Sequence, residues 1–168
     1  GIYGNLKLAG EMMLKSYSHV FKFPYTIVRP SALYGERCVS RRVSQMFIEN
    51  ALEGKEIIIN GDGSEKLDFT YIEDLLQGVQ KIIKTKKSHY QTFNITFGNG
   101  RKIIDLVKLL KLKFPSLRIK FIPWDKLTPK RGGLSINKAK NLLKYRPSFN
   151  IEVGYKKYIN WYKNFYFR

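Results

Sequence analysis

Tyr3-Gly4-Asn5-Leu6-Lys7 sets a phenol and an ammonium four residues apart, and on a helix that spacing brings them to one face, a turn from each other. A cation beside a phenol favours the phenolate and draws a reference pKa of about 10 toward neutrality. A phenolate so held is competent as a general base for a sugar or alcohol hydroxyl. In a chain with 11 tyrosines and 31 basic residues the spacing alone is close to chance, so the motifs that accompany it decide its weight. His19 and His89 stand apart and Cys38 is the single cysteine. No metal site is therefore expected, no internal disulfide can form, and a reducing cytoplasmic setting suits the chain.

The elements that must position these groups alternate between helix and strand. Leu6, Ala9, Met13 and Tyr17 recur at helical spacing and predict a helix from Tyr3 to about Ser18. Tyr25-Thr26-Ile27-Val28-Arg29, ended by Pro30, predicts a short buried strand. A helix is expected to open at Ser40 and stop at Gly54. The Ile57-Ile58-Ile59 strand ends in the turn Gly61-Asp62-Gly63, and Glu73-Asp74 begins a helix reaching about Lys84. Thr92-Phe93-Asn94-Ile95 predicts a strand, Lys102 to Lys113 an amphipathic helix, and Leu117 to Ile122 another strand. Ser135 is placed as the N-cap of a short helix to Lys144, and Ile151 to about Tyr166 forms an aromatic-rich terminal helix. The mixture is α/β, with too few strands for an independent doubly wound sheet. The glycine-rich loop of a dinucleotide site does not occur in the sequence.

At 168 residues and 43% hydrophobic content the chain can build a sizeable core. No apolar run approaches the length of a membrane span, and no signal peptide is visible. The chain starts with Gly1 rather than methionine, which fits a fragment or a processed product. The net charge of +18 fits nucleic acid, anionic lipid, a phosphorylated small molecule or simply solvated lysine-rich faces, and by itself selects none of them. Nucleic acid ranks last, because no helix-turn-helix, zinc-finger or aromatic RNA-binding signature is present.

Three segments in order carry more than any one of them: Tyr3-Gly4-Asn5-Leu6-Lys7-Leu8-Ala9-Gly10-Glu11, then Val28-Arg29-Pro30-Ser31-Ala32-Leu33-Tyr34-Gly35, then Gly61-Asp62-Gly63-Ser64-Glu65-Lys66-Leu67-Asp68-Phe69-Thr70-Tyr71-Ile72-Glu73-Asp74. Together with Lys138-Ala139-Lys140 and Leu143-Lys144-Tyr145-Arg146-Pro147, they resemble the extended short-chain dehydrogenase/reductases. The subgroup resembled is the NAD-dependent nucleotide-sugar epimerases and dehydratases, and the likeness covers the second half of a family member.

The resemblance implies the C-terminal part of a Rossmann-like fold with its substrate-binding lobe. Residues 1–35 would end the NAD-binding part and residues 36–168 would form mainly the lobe. It implies Tyr3 as the catalytic tyrosine and Lys7 as the lysine holding the nicotinamide ribose. Pro30 and Ser31 would lie beside the nicotinamide ring, and Arg131 would grip the nucleotide diphosphate, a task suited to a guanidinium. Arg41 and Arg42 open a helix on the substrate side, where a helix N-terminus also favours anions; helix solubility is the plainer reading of the pair. The sequence departs from the family at Ala32, where an asparagine that contacts substrate is usual, and at Leu67, where an arginine is usual. Lys66 faces the other way on a strand. The partners implied are a nucleotide-diphosphate sugar and a second copy of the chain, paired through the Tyr3–Ser18 helix. Met12, Met13 and Tyr17 suit such an interface or a core. Turnover by this chain alone is not expected, and epimerase is not separable from dehydratase.

Overall fold

Helix α1 runs Ile2–Phe21, and it closes where Lys22 turns left-handed (φ 55) so that its N–H reaches the Ser18 carbonyl. The structure, a computed structural model, describes residues 1–124 and 131–166. Strand β1 (Thr26–Arg29) follows, and β2 (Leu33–Tyr34) comes after the bend at Pro30. Helix α2 occupies Val43–Leu52, starting later than the expected Ser40. Arg41 has φ 39 and Arg42 is extended at φ −74, ψ 162, so the helix cannot begin before Val43.

Strands β3 (Ile57–Asn60), β4 (Lys66–Leu67) and β5 (Thr70–Tyr71) lead into helix α3 (Ile72–Lys84). A 3-10 turn at Lys86–Ser88 precedes β6 (Gln91–Asn94), and β7 (Arg101–Lys102) leads into α4 (Ile103–Lys111). Strand β8 spans Ile119–Ile122, with α5 at Asn137–Leu143 and α6 at Ile151–Tyr166. Ile136, not Ser135, takes the N-cap position of α5, and the Ser135 hydroxyl lies 3.5 Å from the Asn137 N–H. Its helix therefore starts one residue later than the sequence suggested.

The strands pair as β1·β6, β2·β5 and β3·β8, all parallel, and β4·β7, antiparallel. Parallel pairs need crossovers, and here helices and long connections supply them. Two apolar clusters result. The larger packs α2, α4 and α6 over β3, with Ile48, Ile57, Leu106, Leu110 and Tyr155 fully buried. The smaller lies between β6, α3 and α5 around Phe93, Ile95, Ala139 and Tyr145. The pleat of β3 turns Ile57 and Ile59 into the core and leaves the equally apolar Ile58 exposed.

Helix α1 contributes to neither cluster: Ser18 is its buried residue, while Leu6, Met12, Met13, Tyr17 and Phe21 are all exposed. No helix among the described residues is long and apolar enough to cross a membrane.

Candidate functional site

Tyr3 and Lys7 occupy the first two turns of α1, and the Lys7 ammonium lies 5.4 Å from the centre of the Tyr3 ring. Tyr3 is 74% exposed, so its hydroxyl is open to a reactant. One turn beyond Lys7, Glu11 receives two hydrogen bonds from Arg29, from Nε at 2.7 Å and from Nη2 at 2.6 Å. This fork ties α1, one turn beyond Lys7, to the last residue of β1, directly before Pro30 and Ser31. Bidentate carboxylate–guanidinium pairing fixes orientation as well as distance. The pair holds the Glu11 carboxyl below its ordinary range, through the Arg29 hydrogen bonds first and despite some desolvation.

Ala32 takes a left-handed φ of 37 and accepts a hydrogen bond from the Thr70 N–H at 3.4 Å. The backbone here joins β2 to β5. Beyond it, the Tyr71 hydroxyl donates to both oxygens of Glu36, at 2.6 and 2.7 Å, and so anchors the segment leading to α2. Arg41 and Arg42 sit at that helix start, but their side chains are spent locally. Arg41 reaches Glu49 at 3.2 Å, and Arg42 Nε donates to the Ser40 hydroxyl at 3.2 Å.

Arg131 belongs to a different place. It lines a cleft of about 560 Å³ whose other walls are the Gly61-Asp62 turn, Ser64, Glu65, Lys66 and Trp124. Gly61 has φ 70, and a Cβ there would sit 3.1 Å from Trp124 Cε3, so the indole rests on bare backbone. The Asp62 carboxylate is engaged by the Ser64 N–H at 2.9 Å. Glu65 Oε1 is enclosed without a hydrogen-bond partner among the described residues. Burial pushes the Glu65 carboxyl up, with Arg131 pulling it the other way. Arg41 and Arg42 are not among the described residues that line this cleft.

The arm carrying Arg131 is held by Asp68, which is fully buried. Asp68 accepts from the Thr96 hydroxyl at 2.9 Å, the Gly98 N–H at 3.0 Å and the Leu134 N–H at 3.0 Å. Gly100 and Gly133 pass so closely that a Cβ on Gly133 would lie 2.8 Å from the Gly100 nitrogen. Asn94 adds a bond to the Ser135 carbonyl at 2.9 Å. Sequence reasoning placed Arg131 by resemblance alone and did not assign Asp68, Glu65 or Trp124 to the site. The Pro123-Trp124 step after a strand was a usable signal for a half-buried aromatic face, whereas nothing local marked Glu65. Among the described residues no three metal-ligating side chains cluster.

The mixed α/β chain, with Tyr3 and Lys7 on α1 and α1 joined to the end of the parallel strand β1, has a Rossmann-like fold. The chain belongs to the NAD dependent epimerase/dehydratase family, whose model matches residues 1–96. It is 31% identical over 163 residues to a UDP-glucuronate 4-epimerase of Thermodesulfobacterium geofontis, covering 96% of this chain and 50% of that protein. The fold superposes on UDP-glucuronic acid 4-epimerase from Bacillus cereus, solved with UDP-glucuronic acid and NAD, with TM-score 0.90, 31% identity, and coverage of 98% of this chain and 53% of that one. The UDP-glucose 4-epimerase of Thermotoga maritima, solved with UDP-glucose, matches with TM-score 0.89 at 27% identity over 98% of this chain and 54% of its own. The chain spans about half the length of the curated relatives it matches.

Proposed function

We propose that this chain forms the substrate-binding half of an NAD-dependent nucleotide-sugar epimerase or dehydratase. Within it, residues 1–35 close the cofactor-binding part and residues 36–168 form mainly the substrate lobe. The observation that carries the reading is the co-occurrence of the exposed Tyr3/Lys7 turn, locked to β1 through Glu11 and Arg29, with a cleft lined by Arg131 and Trp124. Bound NAD would supply the hydride acceptor. Its nicotinamide end fits what is present, the exposed Tyr3, Lys7 and the Pro30–Ser31 strand end, with α1 joined to β1 by the Glu11–Arg29 pair. Residues for the adenosine end and its diphosphate are not found in this sequence.

The chain's own chemistry is proton handling and grip. Tyr3, as phenolate, takes the proton of a sugar hydroxyl and returns it at the end of the cycle. Lys7, one turn on along α1, holds the nicotinamide ribose. Arg131 neutralises the diphosphate of the nucleotide sugar, and Trp124 offers a flat apolar face to its base. Ala32 lines the substrate side without the amide usual there, while Arg41 and Arg42 supply a basic helix start. A cytoplasmic setting belongs to this reading, as does a homodimer through the Tyr3–Ser18 helix.

Binding without turnover is the behaviour expected of these 168 residues alone, as a fragment or as one partner of a split enzyme. UDP-glucuronic acid or UDP-glucose incubated with the chain and NAD, followed by proton NMR, tests this. The sugar is expected to stay unchanged, and sustained epimerisation would overturn the assignment of turnover to a larger protein.

A further inference from the structure

The end of the molecule where β1 and β6 begin carries cations without acids. Residues 12–35 and 75–104 contain no aspartate or glutamate, and two turns from these segments meet there. One closes α1: Lys22 has φ 55, and the Ser18 hydroxyl donates to the Phe23 carbonyl at 2.6 Å. The other runs from the end of α3 through Lys86–Ser88 to Tyr90, which has φ 60. The Ser88 hydroxyl donates to the Ile82 carbonyl at 2.9 Å and the Thr26 hydroxyl to the Ser88 carbonyl at 2.8 Å. The Tyr90 N–H reaches the Tyr25 carbonyl at 2.6 Å, and the two rings meet edge to face with centres 5.6 Å apart. A hollow of about 300 Å³ joins the turns, with Lys15, His19, Lys22, Tyr25 and Tyr90 in its walls.

This surface mixes charge with bare apolar groups. Lys22, Lys84, Lys86 and Lys87 are exposed, and none is in an ion pair among the described residues. Next to them in the chain, Ile83 is 78% exposed, Tyr90 57% and Phe23 37%. Lysines alone are an ordinary solvated face. Lysines beside apolar tips that the core leaves out match a bilayer surface, with ammonium groups at anionic headgroups and the tips below them. We propose that this end docks the chain on an anionic lipid bilayer. The proposal goes beyond the nucleotide-sugar reading and does not depend on it.

The fold gives such docking a direction. Helix α1 runs back along β1: Glu11 meets Arg29 at the end of the strand, while Lys22 and Phe23 precede its first residue, Thr26. A bilayer at the start of β1 therefore leaves the Pro30–Ser31 end, with Tyr3, on the far side. Nucleic acid is the competing polyanion. It is gripped by arginine forks on phosphates and by aromatic faces on bases. Residues 15–25 and 81–90 contain lysines but no arginine, and the barest apolar side chain, Ile83, is aliphatic and offers a base nothing to stack on. A compact ammonium, indifferent to phosphate orientation, suits a diffuse layer of headgroups.

Co-sedimentation of the full chain with vesicles of phosphatidylcholine and phosphatidylserine in equal parts, and with phosphatidylcholine alone, tests this. Binding is expected to the anionic vesicles and to weaken as salt is raised. Lys86→Glu combined with Lys87→Glu should weaken it at least about tenfold, and Ile83→Asn about fivefold or more. Lys111→Glu combined with Lys113→Glu, the same change in net charge at the end of α4, should leave it intact. Circular dichroism should be the same for all four proteins. Equal binding to both kinds of vesicle, or to neither, would overturn the proposal. So would an equal loss in the α4 variant, which would reduce the effect to total charge, or full binding by Ile83→Asn. A DNA duplex bound as tightly as the anionic vesicles, and lost with Lys86 and Lys87, would assign the surface to nucleic acid instead.

Discussion

Arg29 and Glu11 meet through two parallel hydrogen bonds of 2.7 and 2.6 Å, across the junction between α1 and β1. The side chains are 47% and 17% exposed, so solvent screens the pair, and it is worth about 0.5–1 kcal/mol. Its main effect is geometric: it joins α1, one turn beyond Lys7, to the last residue of β1. Because the Glu11 carboxyl titrates below its ordinary value of 4.5, its contribution is full above that value and is lost as pH falls through the lowered one. Glu11→Gln should therefore destabilise the chain by about 0.5–1 kcal/mol at pH 7 and by less at a pH below the lowered carboxyl value. Urea unfolding at the two pH values checks this; an equal loss at both would show that the charge is not responsible.

Asp68 should dominate local stability. Replacing it with alanine leaves the Thr96 hydroxyl and the Gly98 and Leu134 N–H groups without their acceptor. Orphaned buried donors cost about 1–3 kcal/mol each before relaxation, so a loss of about 3 kcal/mol is expected for Asp68→Ala. In a chain of this size that lowers Tm by roughly 6–12 °C. Thermal unfolding by circular dichroism measures it, and a change below about 1 kcal/mol would contradict the role.

Much of the fold was legible because its helices and longer strands carry local signals. Ile103, Leu106, Val107 and Leu110 share one face and are buried as the 3.6-residue period requires. The acidic first turn of α3, Glu73 and Asp74, marked its start. The two-residue strands β2, β4, β5 and β7 left no such trace, since so short a run has no period. Their partners lie far along the chain and were decided by tertiary packing. The beginning of α2 was misplaced because positive φ at a non-glycine residue, Arg41, has no sequence signature. Spacing and motif order single out Tyr3 and Lys7, whereas the cleft has no local signal. It brings the Gly61–Lys66 turn to Trp124 and Arg131, a non-local closure that periodicity does not encode.

The close crossing of Gly100 and Gly133 predicts a coupled loss of stability and binding. A methyl on Gly133 would press on the Gly100 backbone, and backbone on both sides leaves nothing flexible to yield. Gly133→Ala should cost about 1–3 kcal/mol and weaken UDP by shifting the arm that carries Arg131. Denaturant unfolding and UDP titration of the variant test the two effects; wild-type values in both would contradict the crossing.

The exposed apolar residues of α1 predict association. Leu6, Met12, Met13 and Tyr17 together form the kind of surface that monomeric proteins seldom leave bare. Met12→Glu combined with Met13→Glu should weaken self-association at least about tenfold, equivalent to about 1.4 kcal/mol, without lowering helix content. Sedimentation velocity over a concentration series measures it. A monomer at every concentration before mutation would contradict pairing through this helix.

The central claim, a nucleotide-sugar cleft held by Arg131, is tested most directly by calorimetric titration of UDP-glucuronic acid into the chain without NAD. The account predicts saturable one-to-one binding below millimolar, weakened about tenfold or more by Arg131→Ala. No binding up to millimolar ligand, or binding indifferent to Arg131→Ala, would contradict it.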